Sequence, residues 1–596
     1  MNWPKLQKPL PFLLGAVLAG AMAFYAAAFL DWGKYEKIYP LLAAAAVLLF
    51  AAFACAALWA TGARKSKLAL RVLTAVVLFC FLLFGVSAIL NNVLNSGMTP
   101  GPRLAIFASF SLCALEAIWL LSRAAASEWR PRWRKYAAGA LALAVLVSAG
   151  IVQYRTVRLP LPEPVFSATD LIQSAQRTTG TNEFQLAEAQ TFNTALIVEA
   201  GSAAKFTYWD SMFRKDDTGA AKFSLEAFVD GEWQMIHRGE KIQTQRLCSF
   251  DPVTSDRVRV LAETANGEPV LVQSLALYNE PKRANPGLHM STYYALDPVA
   301  DEIPPEVAIL AQGEAYAREY ARWFDVYDTV ICIGGIGIGA QGVSYAEGEA
   351  RYTQRLNALK ELIALRSNPE HEVKIICTVF GGGSEYADPI LKNHMDALLE
   401  NILGVIEKFG FGGADVDYET PSSRAHWRRF DKFMARLDEG MKAANPEAIL
   451  SAAVFSWGMG MSRETLERLD QIQYMDYCEP CNEHAMPTLE GMQRGVARII
   501  RAGADPAKIL IGLGTHGYDR NESWKHLEGA NAWYCIYPGN KVGCSPALAG
   551  DAAAYALMSD LGGLMVFVTQ GDRPMDDPLC MALGIENALG RYLEAW

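Results

Sequence analysis

The chain has 596 residues, 51% of them hydrophobic and 20% charged, with a formal net charge of -10. At roughly 100–200 residues per domain this allows about three to five units, too apolar for a disordered chain or a wholly soluble one. Residues 1–155 carry 15 Lys and Arg against 4 Asp and Glu (+11), the rest 39 against 60 (-21), and so acidic an outer part excludes nucleic acid as the expected partner.

Crossing a bilayer takes about 20 mostly apolar residues. Five stretches meet or approach that length: 11–30, 39–60, 72–90, 104–122 and 136–152. Basic residues orient them. Lys5 and Lys8 precede the first, Arg64, Lys65, Lys67 and Arg71 follow the second, and Arg123, Arg130, Arg132, Arg134 and Lys135 follow the fourth. The alternate loops hold only Lys34, Lys37 and Arg103. The pattern predicts an integral protein of a bacterial inner or plasma membrane, with the lipid bilayer as a partner and the amino terminus cytoplasmic. Everything after residue 152 is then periplasmic or extracellular. The first segment also fits a signal peptide, with Ala21–Met22–Ala23 at its cleavage site, but four later segments make an integral protein either way. Glu116 lies within the fourth segment, where an ionisable group is either functional or a packing residue.

Cys55, Cys80 and Cys113 sit in these apolar segments, where packing is the expected role. In an exported domain, Cys535 and Cys544 read as a local disulfide. Cys478 and Cys481, with His484 nearby, fit a disulfide, a redox pair or half a zinc site; no second CxxC follows, which favours a structural role.

Residues 156–164, with three prolines, form a stiff spacer. From 165 to 282 short alternating segments predict strands at Thr194–Val198, Lys205–Trp209, Phe223–Phe228, Trp233–His237, Arg257–Leu261 and Val270–Tyr278. Asp230–Gly231 and Asn266–Gly267 mark turns between them. This is the pattern of an antiparallel β-sandwich. The run from Phe192, the Leu225–Trp233 segment and Arg257–Leu261 resemble the galactose-binding-like jelly roll of the discoidin type, as attached to fucosidases. The resemblance implies a fold more than a ligand, since such modules also serve as spacers.

From 283 to 596 strands alternate with amphipathic helices. Strands are predicted at 287–295, 328–334, 373–380, 412–419, 448–455, 471–478, 508–514 and 563–568. Helices are predicted at 304–324, 350–366, 390–409, 423–443, 487–502, 546–560 and 578–594. Eight strands, each followed by a helix or room for one, predict a (β/α)8 TIM barrel, whose catalytic groups stand at the carboxyl ends of strands. The fold class is therefore multidomain: an α-helical transmembrane bundle, a β-sandwich and an α/β barrel.

The fourth barrel strand ends in Asp415, Asp417 and Glu419, separated by Val416 and Tyr418. Alternate strand residues share a face, so the three carboxylates form one row directed into the barrel. Like charges so close hold at least one proton near neutral pH, and a proton on the outermost acid, Glu419, is what a general acid requires. A solvated acidic strand end is disfavoured by the surrounding apolar run, and no matching His or Asp cluster points to a metal.

The stretch resembles the Asp-Gly-x-Asp-x-Asp-x-Glu signature of family 18 glycoside hydrolases, the chitinase-like enzymes. Other strands are similar to the family in order. The third ends in Gly381 and Gly382 like Ser-x-Gly-Gly, the sixth carries Met475 and Tyr477 like Met-x-Tyr, and the seventh runs from Lys508 to Gly512 like Lys-x-x-x-Gly-x-Pro. The resemblance implies substrate-assisted retention. Glu419 is the acid and later the base, Asp417 orients the substrate's 2-acetamido group, Asp415 tunes Asp417, and Tyr477 hydrogen-bonds the acetamido carbonyl. It implies no cofactor and no metal, and an N-acetylated oligosaccharide or polysaccharide as substrate. Met475, Trp457, Phe567, Gly381, Gly382 and Tyr518 are the expected sugar-contacting residues, and Tyr293, Tyr294 and His516 also lie at strand ends. The sequence departs from the signature at Gly412, which stands for its first Asp, at Cys478, which stands for the Asp after Met-x-Tyr, and at Phe567, which stands for the eighth-strand Trp. These departures point away from crystalline chitin. The expected activity is that of an endo-β-N-acetylglucosaminidase-like hydrolase. The alternatives are a non-hydrolytic glycan-binding or scaffold protein, and a helical bundle whose own export function is primary.

Overall fold

The computed structural model describes residues 162–172, 175–199, 219–240, 242, 245–264, 266–296, 306–419, 423–455, 460–475, 489–515, 536–537, 541–542 and 544–594. All of these belong to the second of the chain's two compact units, Pro160–Trp596. The five apolar segments fall outside the described residues. Among those described, no helix is long and apolar enough to cross a membrane.

The first part is an antiparallel sheet of β1 (Gln176–Arg177), β2 (Glu183–Glu199), β3 (Lys222–Val229), β4 (Glu232–Glu240), β5 (Gln245–Glu263) and β6 (Val272–Tyr278). Alternation builds its core: on β3, Phe223, Leu225 and Ala227 face inward and meet Phe192, Ile197, Val258 and Leu277. Two packed sheets are the expectation. The described strands instead form one hydrogen-bonded path, β1-β2-β5-β3-β4, with β6 on the free side of β2. The reason is the length of β2 and β5, 17 and 19 residues. Register shifts between Gln185 and Gln190 and between Phe192 and Thr194 bend this pair, as bulges do, so one sheet curves about its own core. Residues 245–256 carry no predicted strand because Asp251 and Pro252 interrupt the alternation; both lie exposed on β5. The predicted strand Lys205–Trp209 lies outside the described residues.

The second part is a closed barrel of eight parallel strands, ordered β7 (His289–Ala295), β8 (Thr329–Ile333), β11 (Lys374–Gly383), β12 (Gly413–Glu419), β13 (Ile449–Val454), β14 (Gln471–Tyr474), β15 (Ile509–Gly514) and β16 (Gly563–Phe567). Each falls on one of the eight predicted segments. Gly413, at φ 154, starts β12 where a Cβ would stand 2.1 Å from the Ile449 carbonyl oxygen, so only glycine lets β12 and β13 approach. Two predicted helices are each divided. Residues 304–324 give α1 (Glu306–Ala311) and α2 (Glu314–Ala321), broken at Gly313 with φ 106. Residues 390–409 give α4 (Ser384–Asn393) and α5 (Met395–Phe409), broken at His394, whose φ of -142 and ψ of 27 are not helical. Between them runs α3 (Glu349–Ala364), after an unpredicted hairpin of β9 (Ile336–Gly339) and β10 (Gly342–Tyr345).

Helices α6 (Arg424–Ala444), α7 (Arg463–Arg468) and α8 (Leu489–Ala502) follow the next strands, and α9 (Pro546–Met558) and α10 (Met581–Tyr592) complete the ring. Ser423, Ser462 and Ser545 cap α6, α7 and α9, each accepting a backbone N–H three residues on. The alanine-rich α9 is buried along nearly its whole length because the antiparallel sheet covers its outer side. There Asp551 accepts from Arg246 Nε at 2.9 Å, from the Ser249 backbone N–H at 3.1 Å and lies 3.2 Å from His237 Nε2. His237, Cys248 and Asp551 come close enough to ligate an ion, but the Arg246 guanidinium occupies the carboxylate and opposes a cation.

Candidate active site

The carboxylate row stands inside the barrel as alternation requires. Asp415 is fully buried and Asp417 is 7% exposed, while Glu419, at the strand's end, is only half-buried. Asp415 is satisfied from both sides. Its Oδ2 accepts from the Tyr293 hydroxyl at 2.7 Å and its Oδ1 from the Ser451 hydroxyl at 2.7 Å. Burial pushes its carboxyl up to about 6, against the opposing pull of these two donors. Asp417 has a buried Oδ1 with no hydrogen-bond partner. Burial, reinforced by the charges of Asp415 and Glu419, raises Asp417 well above the ordinary carboxylate range. Removal from water thus favours the protonated form of both inner acids.

Neighbouring strands make room beside Asp417. Phe380 is in register with Asp417, yet its φ of 77 marks an irregularity in β11. Its ring packs against Tyr418 at 5.7 Å and Phe433 at 5.6 Å, in the layer between barrel and helices. Gly381, with φ 66 and open space where a Cβ would be, and then Gly382 follow. The two glycines read from the sequence therefore lie where a side chain has been turned away from the acid row. Thr378, in register with Asp415, has a buried Oγ1 with no partner.

Below the row, Tyr293, Ile331, Ile376, Ala453, Met475, Leu510 and Met565 fill the barrel, with Phe567 packed on them. Phe567 meets the Tyr293 ring edge to face at 5.4 Å. Met475 is buried here, as part of the floor. Tyr293 and Tyr294, which stand at a strand end, are both buried: Tyr293 lies beneath the acids, and Tyr294, one residue on, faces the helices and donates to Glu306 at 3.4 Å. Strand alternation separates them. Gly412, at the signature's first Asp, takes part through its backbone, donating to Ile375 O at 2.7 Å and accepting from Ile449 N at 2.9 Å. Tyr477, Trp457, Tyr518, His516, Cys478, Cys481 and Cys535 lie outside the described residues, so the pairing expected for Cys544, which is buried, lies outside them as well.

Sequence reasoning missed Ser451 and, behind it, Gln473. Gln473 donates to Ser451 Oγ at 3.0 Å and accepts from Ser291 at 2.7 Å. Both follow from alternation on the fifth and sixth barrel strands, where a Ser and a Gln stand among inward apolar neighbours.

The chain thus forms a parallel eight-stranded barrel with buried acids at the end of its fourth strand. Residues 329–543 match the model of the family described as glycosyl hydrolases family 18. No curated protein matches the chain significantly. Solved structures that resemble it include the GH18 chitinase ChiB from the chitin utilization locus of Flavobacterium johnsoniae, 14% identical over 51% of this chain and 94% of that one with a TM-score of 0.40. A chitinase from Bacteroides thetaiotaomicron is 15% identical over 51% and 97%, with a TM-score of 0.41. A chitinase-like agglutinin from Robinia pseudoacacia is 14% identical over 50% and 99%, with a TM-score of 0.39.

Proposed function

We propose that this protein is a membrane-anchored retaining glycoside hydrolase that cleaves β-linked N-acetylglucosamine-containing glycans on the extracytoplasmic side. The observation that carries the reading is Asp417 Oδ1, a buried carboxylate oxygen without a partner between two other acids. Such an atom calls for an N–H donor or a developing positive charge, and an acetamido group supplies both in turn.

In this reading Glu419, the most solvent-accessible of the three, donates its proton to the glycosidic oxygen. The substrate's acetamido oxygen attacks the anomeric carbon as the bond to the leaving sugar breaks, giving an oxazolinium. Asp417, once its proton has passed to Asp415, accepts the acetamide N–H and balances its charge. Glu419, now a carboxylate, takes a proton from the water that reopens the ring, which retains the anomeric configuration. Tyr477 is assigned to the acetamido oxygen, and Phe567, Trp457 and Tyr518 to the sugar faces. The +11 segment before residue 156 supplies the anchor. The Asp551–Arg246 joint makes the antiparallel sheet a support for the barrel, with any glycan binding by the sheet secondary.

The test is turnover of an N-acetylated chito-oligosaccharide beside its de-N-acetylated counterpart, with binding of a thiazoline mimic of the oxazolinium measured in parallel. Hydrolysis confined to the acetylated substrate with tight thiazoline binding is expected. Equal turnover of both would overturn the acetamido mechanism. Tight glycan binding without turnover of either would establish the non-hydrolytic alternative.

A further inference from the structure

The interior of the barrel carries a chain of polar side chains that the proposed chemistry does not use. Gln473, fully buried on β14, spends both amide hydrogens, one on Ser451 Oγ at 3.0 Å and one on Gln471 Oε1 at 3.0 Å. Its carbonyl accepts from Ser291 on β7 at 2.7 Å. Gln471 in turn donates to Thr329 Oγ1 on β8 at 3.0 Å, and Thr329 donates to Asp328 Oδ1 at 2.8 Å.

Hydrogen counting gives this chain a direction. A hydroxyl has one proton, and that of Thr329 is committed to a carboxylate, so Thr329 Oγ1 faces Gln471 as an acceptor. Gln471 must then present its NH2 to Thr329 and its carbonyl to Gln473. Gln473 must answer with its own NH2, which also reaches Ser451. Ser451 Oγ is thereby an acceptor on that side, and its single proton points at Asp415 Oδ1, 2.7 Å away. Turning both amides over would set the Gln471 carbonyl against Thr329, which could donate to it only at the expense of Asp328, and would draw the Ser451 proton toward Gln473. Asp328 is held by the backbone N–H of Met290 at 3.2 Å and lies 3.1 Å from His289 Nδ1.

We propose that Gln473 is a positioning residue for the acid row: it transmits the hydrogen-bond direction set at Asp328 through the barrel and locks the Ser451 hydroxyl onto Asp415. The consequence rests on the proposed function, since a carboxylate fixed beneath Asp417 is what tunes that residue. The direction of the chain is independent of it. The charged and titratable groups facing Asp415 are Tyr293 from β7, Cys377 from β11, where the Asp415 charge acts on its thiol, and Asp417 on its own strand. Gln473 is linked to Asp415 through Ser451, so a change at position 473 reaches Asp415 by that route.

The experiment is a carboxyl infrared pH titration of the purified full chain, with the Asp415 band assigned by its loss in Asp415→Asn. It is run on the parent, Gln473→Met, Ser451→Ala and the double variant, alongside pH profiles of kcat/KM. Gln473→Met keeps length and burial while removing both donors. The expected result is that each single variant moves the Asp415 titration upward by about one pH unit, and that the double variant moves it no further. The acid limb of kcat/KM follows, kcat falls about tenfold and KM stays within about twofold. An unmoved Asp415 titration in Gln473→Met, or shifts that add in the double variant, overturns the proposal. If Gln473→Met does not fold, the same comparison is made with Gln471→Met, which removes the donor to Thr329 one link earlier and must shift the titration in the same direction. A parent that titrates as described but hydrolyses nothing sinks the proposed function and leaves this inference standing.

Discussion

Tyr293, on the first strand of the barrel, donates its hydroxyl to Asp415 on the fourth across a 2.7 Å hydrogen bond. With Ser451 on the fifth strand donating from the other side, it holds a carboxylate that burial alone would neutralise. Tyr293→Phe removes one donor and keeps the ring against Phe567. A hydrogen bond to a charged group is worth about 1.5–3 kcal/mol, so kcat/KM should fall by about 10- to 100-fold and its acid limb should move to higher pH. Unchanged kinetics would separate Tyr293 from the acid row.

The row itself should weaken the fold at neutral pH. Asp415 rises from an ordinary 3.8 to about 6 on folding, so between those values the folded state binds more protons than the unfolded state. Its contribution to stability is then fully present below pH 4 and is lost as pH rises through about 6, by about 3 kcal/mol at most. Asp415→Asn should therefore gain on the parent in denaturant unfolding from pH 4 to pH 7, while losing activity. A difference that does not vary with pH contradicts the assignment.

Asp551 behaves with the opposite sign. Despite full burial, its carboxyl is held below the ordinary range by His237, Arg246 and the Ser249 N–H. Its stabilisation is present above the unfolded value and is lost as pH falls through the lowered one. Asp551→Ala strands the buried Arg246 and should cost about 3–5 kcal/mol at pH 7, with the penalty shrinking at acid pH. Thermal melting with separate probes for sheet and barrel reads this. An unaffected barrel would mean that the sheet does not support it.

Phe567 packs on the barrel floor at the strand end assigned to the sugar. Phe567→Ala should raise KM for N-acetylated oligosaccharides by about 5- to 10-fold, and Phe567→Trp should restore it. Equal KM values for all three would remove Phe567 from the sugar site.

The barrel was legible because eight short apolar runs recur between amphipathic helices, and the strands are buried on both faces. The acid row was legible because Asp415, Asp417 and Glu419 fall at alternate positions of one strand. What the sequence hid depends on contacts between distant strands. Nothing local marks Ser451 as the partner of Asp415 or Gln473 as the partner of Ser451, since 36 and 22 residues separate them. Tyr293 and Tyr294 look equivalent in the sequence and are divided only by the face each takes. Gly313 and His394 broke helices whose apolar periodicity ran through them. The curved single sheet depends on bulges in β2 and β5 that alternation alone does not forecast.

The most direct measurement compares the parent with Glu419→Gln on an N-acetylated chito-oligosaccharide, following product release and ligand binding together. The account predicts a loss of turnover of about a thousandfold or more with oligosaccharide affinity kept, since the amide preserves shape and removes the transferable proton. Turnover surviving in Glu419→Gln at the parental rate would contradict it.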